Sequence, residues 1–239
     1  MARIREQFPN FLTICNLLAG TLSILCLSKG LEIYAAALIF ISAAFDVFDG
    51  AAARLLSVNS EIGKELDSLA DLISFGLAPS FILYAQMTRT CSTLVNPLSA
   101  AIPLLAFLLV IFTAIRLANF NVSKPNSDYF TGLPCPASGL LIASIPFMLK
   151  FYPLTSSVVL GNVAVLVILI ILLCTLMNSK LRLLSLKFQG RKFRLNETRI
   201  LLLICSGVSI LIFRFASIPF ILLFYFFFSY IHSNAQKTS

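Results

Sequence analysis

Asp46-Val47-Phe48-Asp49-Gly50-Ala51-Ala52-Ala53-Arg54, then eight residues, then Gly63-Lys64-Glu65-Leu66-Asp67-Ser68-Leu69-Ala70-Asp71: this stretch holds four of the chain's five aspartates within otherwise apolar sequence. A carboxylate at the centre of a membrane-spanning helix costs about 2.5–3.5 kcal/mol on insertion scales. Four of them together are tolerable only with positive charge in their midst. Asp46 and Asp49 are three residues apart and Asp67 and Asp71 four apart, so each pair shares one helix face. The stretch therefore reads as two helices joined by a short polar turn, with facing acidic surfaces that suit divalent metal.

Outward from this stretch the chain is apolar. Hydrophobic residues make up 59% of its 239 positions and its mean hydropathy is +0.94, far above ordinary soluble usage. Runs of about 20 apolar residues, the length that crosses a ~30 Å bilayer core, recur throughout. The expected fold class is all-α, a polytopic transmembrane bundle of about eight spans near 9–28, 32–54, 62–87, 98–120, 133–151, 155–177, 200–214 and 217–232. A single domain is expected over 1–239, with a short interfacial N-terminus at 1–8, a basic cytoplasmic loop at 178–199 and a tail at 233–239. The charged start with Arg3, Arg5 and Glu6 resembles a signal peptide, but no small-residue cleavage site follows. The first run is read as a retained helix.

Placing the N-terminus in the cytoplasm leaves only Lys29, Arg89, Lys150 and Arg214 of the 18 basic residues on the far side. The positive-inside rule thus gives an N-in, C-in topology, and it brings all four aspartates just beneath the cytoplasmic surface. The basic segment from Lys180 to Arg199 reads as a loop or interfacial helix drawn to anionic lipid; some of its cations are alternatively ligands for an anionic substrate. Ordinary topology explains its charge, which argues against nucleic acid. The six cysteines are dispersed with no CxxC pair, and His232 is the only histidine. Neither a histidine-dependent triad nor a His/Cys zinc site can be assembled, so any catalysis must run on carboxylates.

Gly50, Ala51, Ala52, Ala53 and Gly63 keep bulk away from the carboxylates, letting helices or a ligand approach. Arg54, near the rim, offers a fork that grips phosphate bidentately. Acids for metal and an arginine for phosphate point to phosphoryl transfer, with paired cations bridging pyrophosphate oxygens. The plain structural alternative is a buried charge network of the aspartates with Arg54 and Lys64. It leaves more acids than nearby bases.

The spacing D-x2-D-G-x2-A-R-x8-G-x3-D-x3-D, eight fixed residues at fixed gaps, resembles the signature of the CDP-alcohol phosphotransferase family, integral membrane enzymes of phospholipid synthesis. Further motifs narrow the likeness to its serine-using branch, the bacterial and archaeal phosphatidylserine synthases. They are Pro9-Asn10-x-x-Thr13-x-x-Asn16, Asp67-x-x-x-Asp71-x-x-Ser74-Phe75-Gly76-x-Ala78-Pro79, Arg116-x-x-x-x-Asn121 and Gly132-x-Pro134-x-Pro136-Ala137, together covering roughly residues 9 to 140.

The resemblance implies two divalent cations, Mg²⁺ or Mn²⁺, bridged by Asp46 and Asp67. It implies that Asp49 completes one shell, and that Asp71 touches the second metal while acting as general base. Gly50, Arg54 and Ser60 would line the site for the CDP-lipid, with Asn10, Thr13 and Asn16 facing the cytidine and phosphates. Serine's hydroxyl would attack the phosphatidyl phosphorus of CDP-diacylglycerol, releasing CMP and forming phosphatidylserine. A homodimer in the cell membrane is implied as well.

The acceptor pocket is sought among Ser74, Arg116, Asn121 and one later cation: Lys180, Arg182 or Lys187. Arg116 serves equally as a positive-inside anchor, and Ser74 as a serine bonded to its own helix. Two rival functions stay open. One is the same chemistry with glycerol 3-phosphate, inositol, inositol phosphate or choline. The other, more distant, is a cation transporter whose acids form an ion pathway.

Overall fold

The computed structural model describes residues 2–57, 60–92, 100–122, 129–179, 181–184 and 197–235. Helices α1 (Ala2–Ser28) and α2 (Glu32–Leu55) form the first hairpin. The turn between them closes as a Schellman motif. Leu31 N–H reaches the Cys26 carbonyl at 2.9 Å and Gly30 N–H the Leu27 carbonyl at 2.9 Å. Gly30 sits at φ +75°, a left-handed conformation that costs glycine nothing. Alanines 35 and 36 and Ile39 are fully buried along the seam. Ser23 fastens it by donating to the Ala35 carbonyl at 2.8 Å.

Next come α3 (Glu61–Asp71), a π-helical segment (Leu72–Leu77) and α4 (Ala78–Cys91), one continuous rod with a wide turn in the middle. The wide turn has a local cause. Pro79 lacks an N–H, and its ring would press on the carbonyl of Phe75 in a regular α-helix. The π turn relaxes this, with the Ala78 N–H bonding five residues back to Ile73. A short 3₁₀ segment (Ile102–Phe107) leads into α5 (Leu108–Val122), and α6 spans Cys135–Phe151. Then follow α7 (Pro153–Leu160), α8 (Val163–Met177), α9 (Glu197–Phe213) and α10 (Ser217–Ala235). The core runs through Phe75, Leu83, Met87, Leu109, Ile142 and Leu166, where the rod meets α5, α6 and α8.

Among the described residues, four helices are long and apolar enough to cross a membrane: 7–28, Glu32–Leu55, Glu61–Cys91 and Ile102–Val122. A fifth results if α7 and α8 count as one broken span. Two departures from the sequence reading stand out, one at α7 and α8 and one at the start of α6. The run expected as one span at 155–177 is two helices bent by 74°, because Gly161 ends α7 and the Asn162 side chain caps α8 by accepting from Ala164 N–H at 2.9 Å. Helix α1 itself runs from Ala2, with Pro9 inside it. A small antiparallel ribbon, β1 (Tyr129–Thr131) with β2 (Arg182–Leu184), interrupts the all-helical pattern. It ties the start of α6 to the end of α8, helped by Leu133 N–H on the Leu176 carbonyl at 3.0 Å.

Candidate active site

Asp46 and Asp49 lie on consecutive turns near the end of α2, and Asp67 and Asp71 on consecutive turns of α3. Where the two helices face each other, Asp46, Asp49 and Asp67 each bring a carboxylate oxygen within 4.8 Å of the others. Oxygen ligands at ~2.0–2.6 Å from a divalent ion stand about 3–5 Å apart, so this triangle has the size of a coordination shell. Asp71 sits beside the triangle, 8% exposed, in repulsive electrostatic contact with Asp46, Asp67 and Asp49.

The donors around these acids are few. Thr13 of α1 donates to Asp49 Oδ2 at 2.9 Å, and Asn16 Nδ2 donates to Asp71 Oδ1 at 3.3 Å. Asp67 Oδ1 is buried without a hydrogen-bond partner among the described residues. Among the described residues the one ion pair, Arg89 with Glu32 at 2.7 Å, joins the start of α2 to the end of α4, about 20 Å along α2 from the aspartates. Lys64 donates instead to the Asn121 carbonyl at 2.8 Å. The exposed Arg54 guanidinium folds back over Gly50, with Nη1 3.7 Å from where a Cβ would stand. The charge-network alternative therefore fails, since neither base pairs with an aspartate. An orphaned carboxylate oxygen within an acidic triangle is a vacancy in charge balance that a divalent cation fits.

The remaining expected residues divide by what they touch. Asn10 lies against α3 where Gly63 has no side chain, its Oδ1 2.9 Å from the Cβ position. Ser60 caps α3, accepting from Gly63 N–H at 3.3 Å, and keeps its O–H as a donor. Thr13 and Asn16 donate to Asp49 and Asp71, and the Thr13 hydroxyl also lies 3.1 Å from the Pro9 carbonyl. Ser74 is fully buried and donates to the Asn16 main-chain carbonyl at 3.1 Å. Asn121 donates to Ser68 at 2.8 Å, docking α5 on the side of α3. Lys187 and Lys180 lie outside the described residues.

Arg116 is the partly unpaired cation. Among the described residues its Nη1 reaches only the Cys135 sulfur at 3.5 Å, a weak acceptor, and its buried Nε has no partner there. Cys135 feels the charges of both Arg116 and Asp71, so the guanidinium stands near the acidic cluster. Tyr225 of α10 also interacts electrostatically with Arg116. Cys135, Tyr225 and Ser42, the last described below, escaped the sequence reading. A buried thiol, a span tyrosine and a span serine are each common in apolar helices, and no local pattern marks them.

The sequence profile described as CDP-alcohol phosphatidyltransferase matches residues 6–187, well over half of the chain. The chain belongs to this family. Among its relatives, the CDP-diacylglycerol–serine O-phosphatidyltransferase of Helicobacter pylori is 40% identical over 137 residues, 56% of this chain and 55% of that protein. The Bacillus subtilis protein of the same name is 34% identical over 147 residues, 59% of this chain and 76% of the relative. The archaetidylserine synthase of Methanothermobacter thermautotrophicus is 34% identical over 166 residues, 67% of this chain and 66% of that protein. The match thus spans about half the length of the Helicobacter relative. This CDP-alcohol phosphatidyltransferase chain carries its acidic cluster, Arg54 and Arg116 inside the matched region, whereas Tyr225 lies beyond it.

Proposed function

We propose that the protein transfers the phosphatidyl group of CDP-diacylglycerol to the hydroxyl of L-serine, yielding phosphatidylserine and CMP. The observation that carries this reading is the carboxylate triangle of Asp46, Asp49 and Asp67 with its orphaned oxygen, in a chain of a CDP-alcohol family. Serine is favoured as acceptor because the names of the three relatives all contain it. Arg116 supports this choice, since its unpaired buried donor suits a carboxylate.

Asp46, Asp49, Asp67 and Asp71 would hold two divalent cations, Mg²⁺ or Mn²⁺, which when bound supply Lewis-acid charge to pyrophosphate oxygens. Arg54 grips the donor's phosphates bidentately above Gly50, with Asn10 and Ser60 lining the same side. Asp71 takes the serine hydroxyl proton as general base. The Oγ–P bond forms as the bridging P–O bond breaks, and the electron pair leaves with CMP. Arg116 holds the serine carboxylate close to Asp71, which sets the hydroxyl in reach.

The membrane arrangement belongs to the same reading: eight spans, both termini cytoplasmic, one domain over 1–239, and a site opening to the cytoplasm of a homodimeric cell-membrane enzyme. The charge asymmetry of the sequence supports it. So do three further apolar helices that are shorter than the four long ones, Cys135–Phe151, Ile200–Phe213 and Ser217–Ser229.

The test is CMP release by purified protein given CDP-diacylglycerol and Mn²⁺. Serine should support release, and glycerol 3-phosphate and inositol should not. Release with glycerol 3-phosphate but not serine overturns the acceptor, and release that survives exhaustive chelation overturns the metal.

A further inference from the structure

We infer that Asn16 and Ser42 are positioning residues for Asp71, acting through a chain of hydrogen bonds across three helices rather than by contact with substrate. The inference rests on the reading of Asp71 as the proton acceptor. Asn16, Ser42 and Ser74 are all fully buried, so water cannot satisfy them and each hydrogen bond must be found within the protein.

Donors and acceptors pair off in only one way. The Asn16 amide turns its NH₂ toward Asp71 Oδ1, 3.3 Å away. Its own Oδ1 then needs a donor, and the Ser42 hydroxyl sits in close contact with it. Ser42 is also 3.1 Å from the Asn16 main-chain carbonyl, but a hydroxyl has one proton to give. Ser74 covers that carbonyl at 3.1 Å, freeing the Ser42 proton for the amide oxygen. The Ser42 bond thereby prevents the amide from flipping, since a flipped amide would set oxygen against the Asp71 carboxylate.

Gly20 permits this arrangement. A Cβ there would lie 2.9 Å from Ser74 Cα, forcing α1 away from the π segment and breaking the Ser74 contact. With Oδ1 receiving the Asn16 amide, Asp71 Oδ2 is the oxygen that receives no hydrogen bond from the described residues. Full burial of Asn16 also removes it from the surface where a CDP group would lie.

The experiment compares Asn16→Leu, Ser42→Ala and the double variant in the full-length protein. It measures kcat, KM for CDP-diacylglycerol and for serine, and Mn²⁺ affinity by electron paramagnetic resonance. Asn16→Leu should lower kcat by about 10–100-fold, the usual cost of a supporting partner. Its KM for CDP-diacylglycerol should change by no more than about twofold. Ser42→Ala should lower kcat about fivefold or more, as a buried acceptor loses its donor. The double variant should be no slower than Asn16→Leu within about twofold.

Multiplying single effects, or a raised KM for CDP-diacylglycerol at unchanged kcat, overturns the inference. If Asn16→Leu fails to bind Mn²⁺, Asn16→Ser, too short to reach Asp71, must show the same pattern. If the unmodified protein releases no CMP with serine, the proposed function falls and this inference with it. If release is normal and the effects multiply, only the inference falls.

Discussion

In α1, α2 and the π segment, buried hydroxyls and amides reach across to other helices: Thr13 to Asp49, Asn16 to Asp71, Ser42 and Ser74 to Asn16, Ser23 to Ala35. In α9 and α10 two buried hydroxyls turn back on their own chain. Ser209 donates to the Cys205 carbonyl at 2.8 Å and Ser217 to the Arg214 carbonyl at 2.5 Å. Cross-helix hydrogen bonds in membrane proteins average only about 0.6 kcal/mol, so stability alone does not account for gathering four of them, all but Ser23–Ala35, around Asn16 and the aspartates. Their value is geometric: each fixes where one helix stands relative to the next, which matters where carboxylates must converge. The C-terminal helices, with Leu211 84% and Leu223 63% exposed, present apolar surface outward and suit contact with lipid or a second subunit.

The contrast can be broken most forcefully at the acidic cluster. Asp67→Ala removes the orphaned oxygen, and it should lower CMP release by at least ~10²–10³-fold, the scale of losing a main electrostatic element. Mn²⁺ binding followed by electron paramagnetic resonance should weaken in parallel. Activity within a few-fold of the parent protein would deny Asp67 any part in the site.

Asp71→Asn keeps shape and hydrogen bonding but cannot take a proton, so turnover should fall by about 10²–10⁴-fold. Binding of CDP-diacylglycerol, read by equilibrium dialysis, should largely persist. Intact turnover in this variant would remove Asp71 as the base. At the rim, Arg54→Lys replaces a fork with a point charge. A roughly tenfold rise in KM for CDP-diacylglycerol, with kcat held, corresponds to one charge-assisted hydrogen bond of about 1.5 kcal/mol. A change confined to KM for serine would move Arg54 to the acceptor side.

The other pole of the comparison should be nearly silent. Ser209→Ala removes a hydroxyl that serves only its own helix, so CMP release should be unchanged and stability should shift by about 0.5 kcal/mol or less. A large loss of activity there would show that the C-terminal helices carry catalytic geometry after all.

Much of the site was legible before any fold was known. Spacings of three and four place Asp46 with Asp49 and Asp67 with Asp71 on helix faces by geometry alone, and the glycine and alanines around them signal close approach. Arg116 was legible as a cation at a helix end, though not as one with a buried, unpaired nitrogen. Ser42 was not legible, because a serine in an apolar run ordinarily bonds to its own helix and its partner Asn16 is 26 residues away. The ribbon of Tyr129–Thr131 and Arg182–Leu184 was missed because three residues are too few to show alternation. The break at Gly161-Asn162 was hidden inside a continuous apolar stretch.

Sequence alone determined that four acids sit on two helix faces in a hydrophobic chain, because helical periodicity and the cost of charge in apolar surroundings are local properties. Only the tertiary structure decided which acids meet, that Arg54 and Lys64 do not neutralise them, and that Asn16 is committed to Asp71. Those outcomes depend on how closely α1, α2 and α3 approach, and that distance is set by packing between residues far apart in the chain.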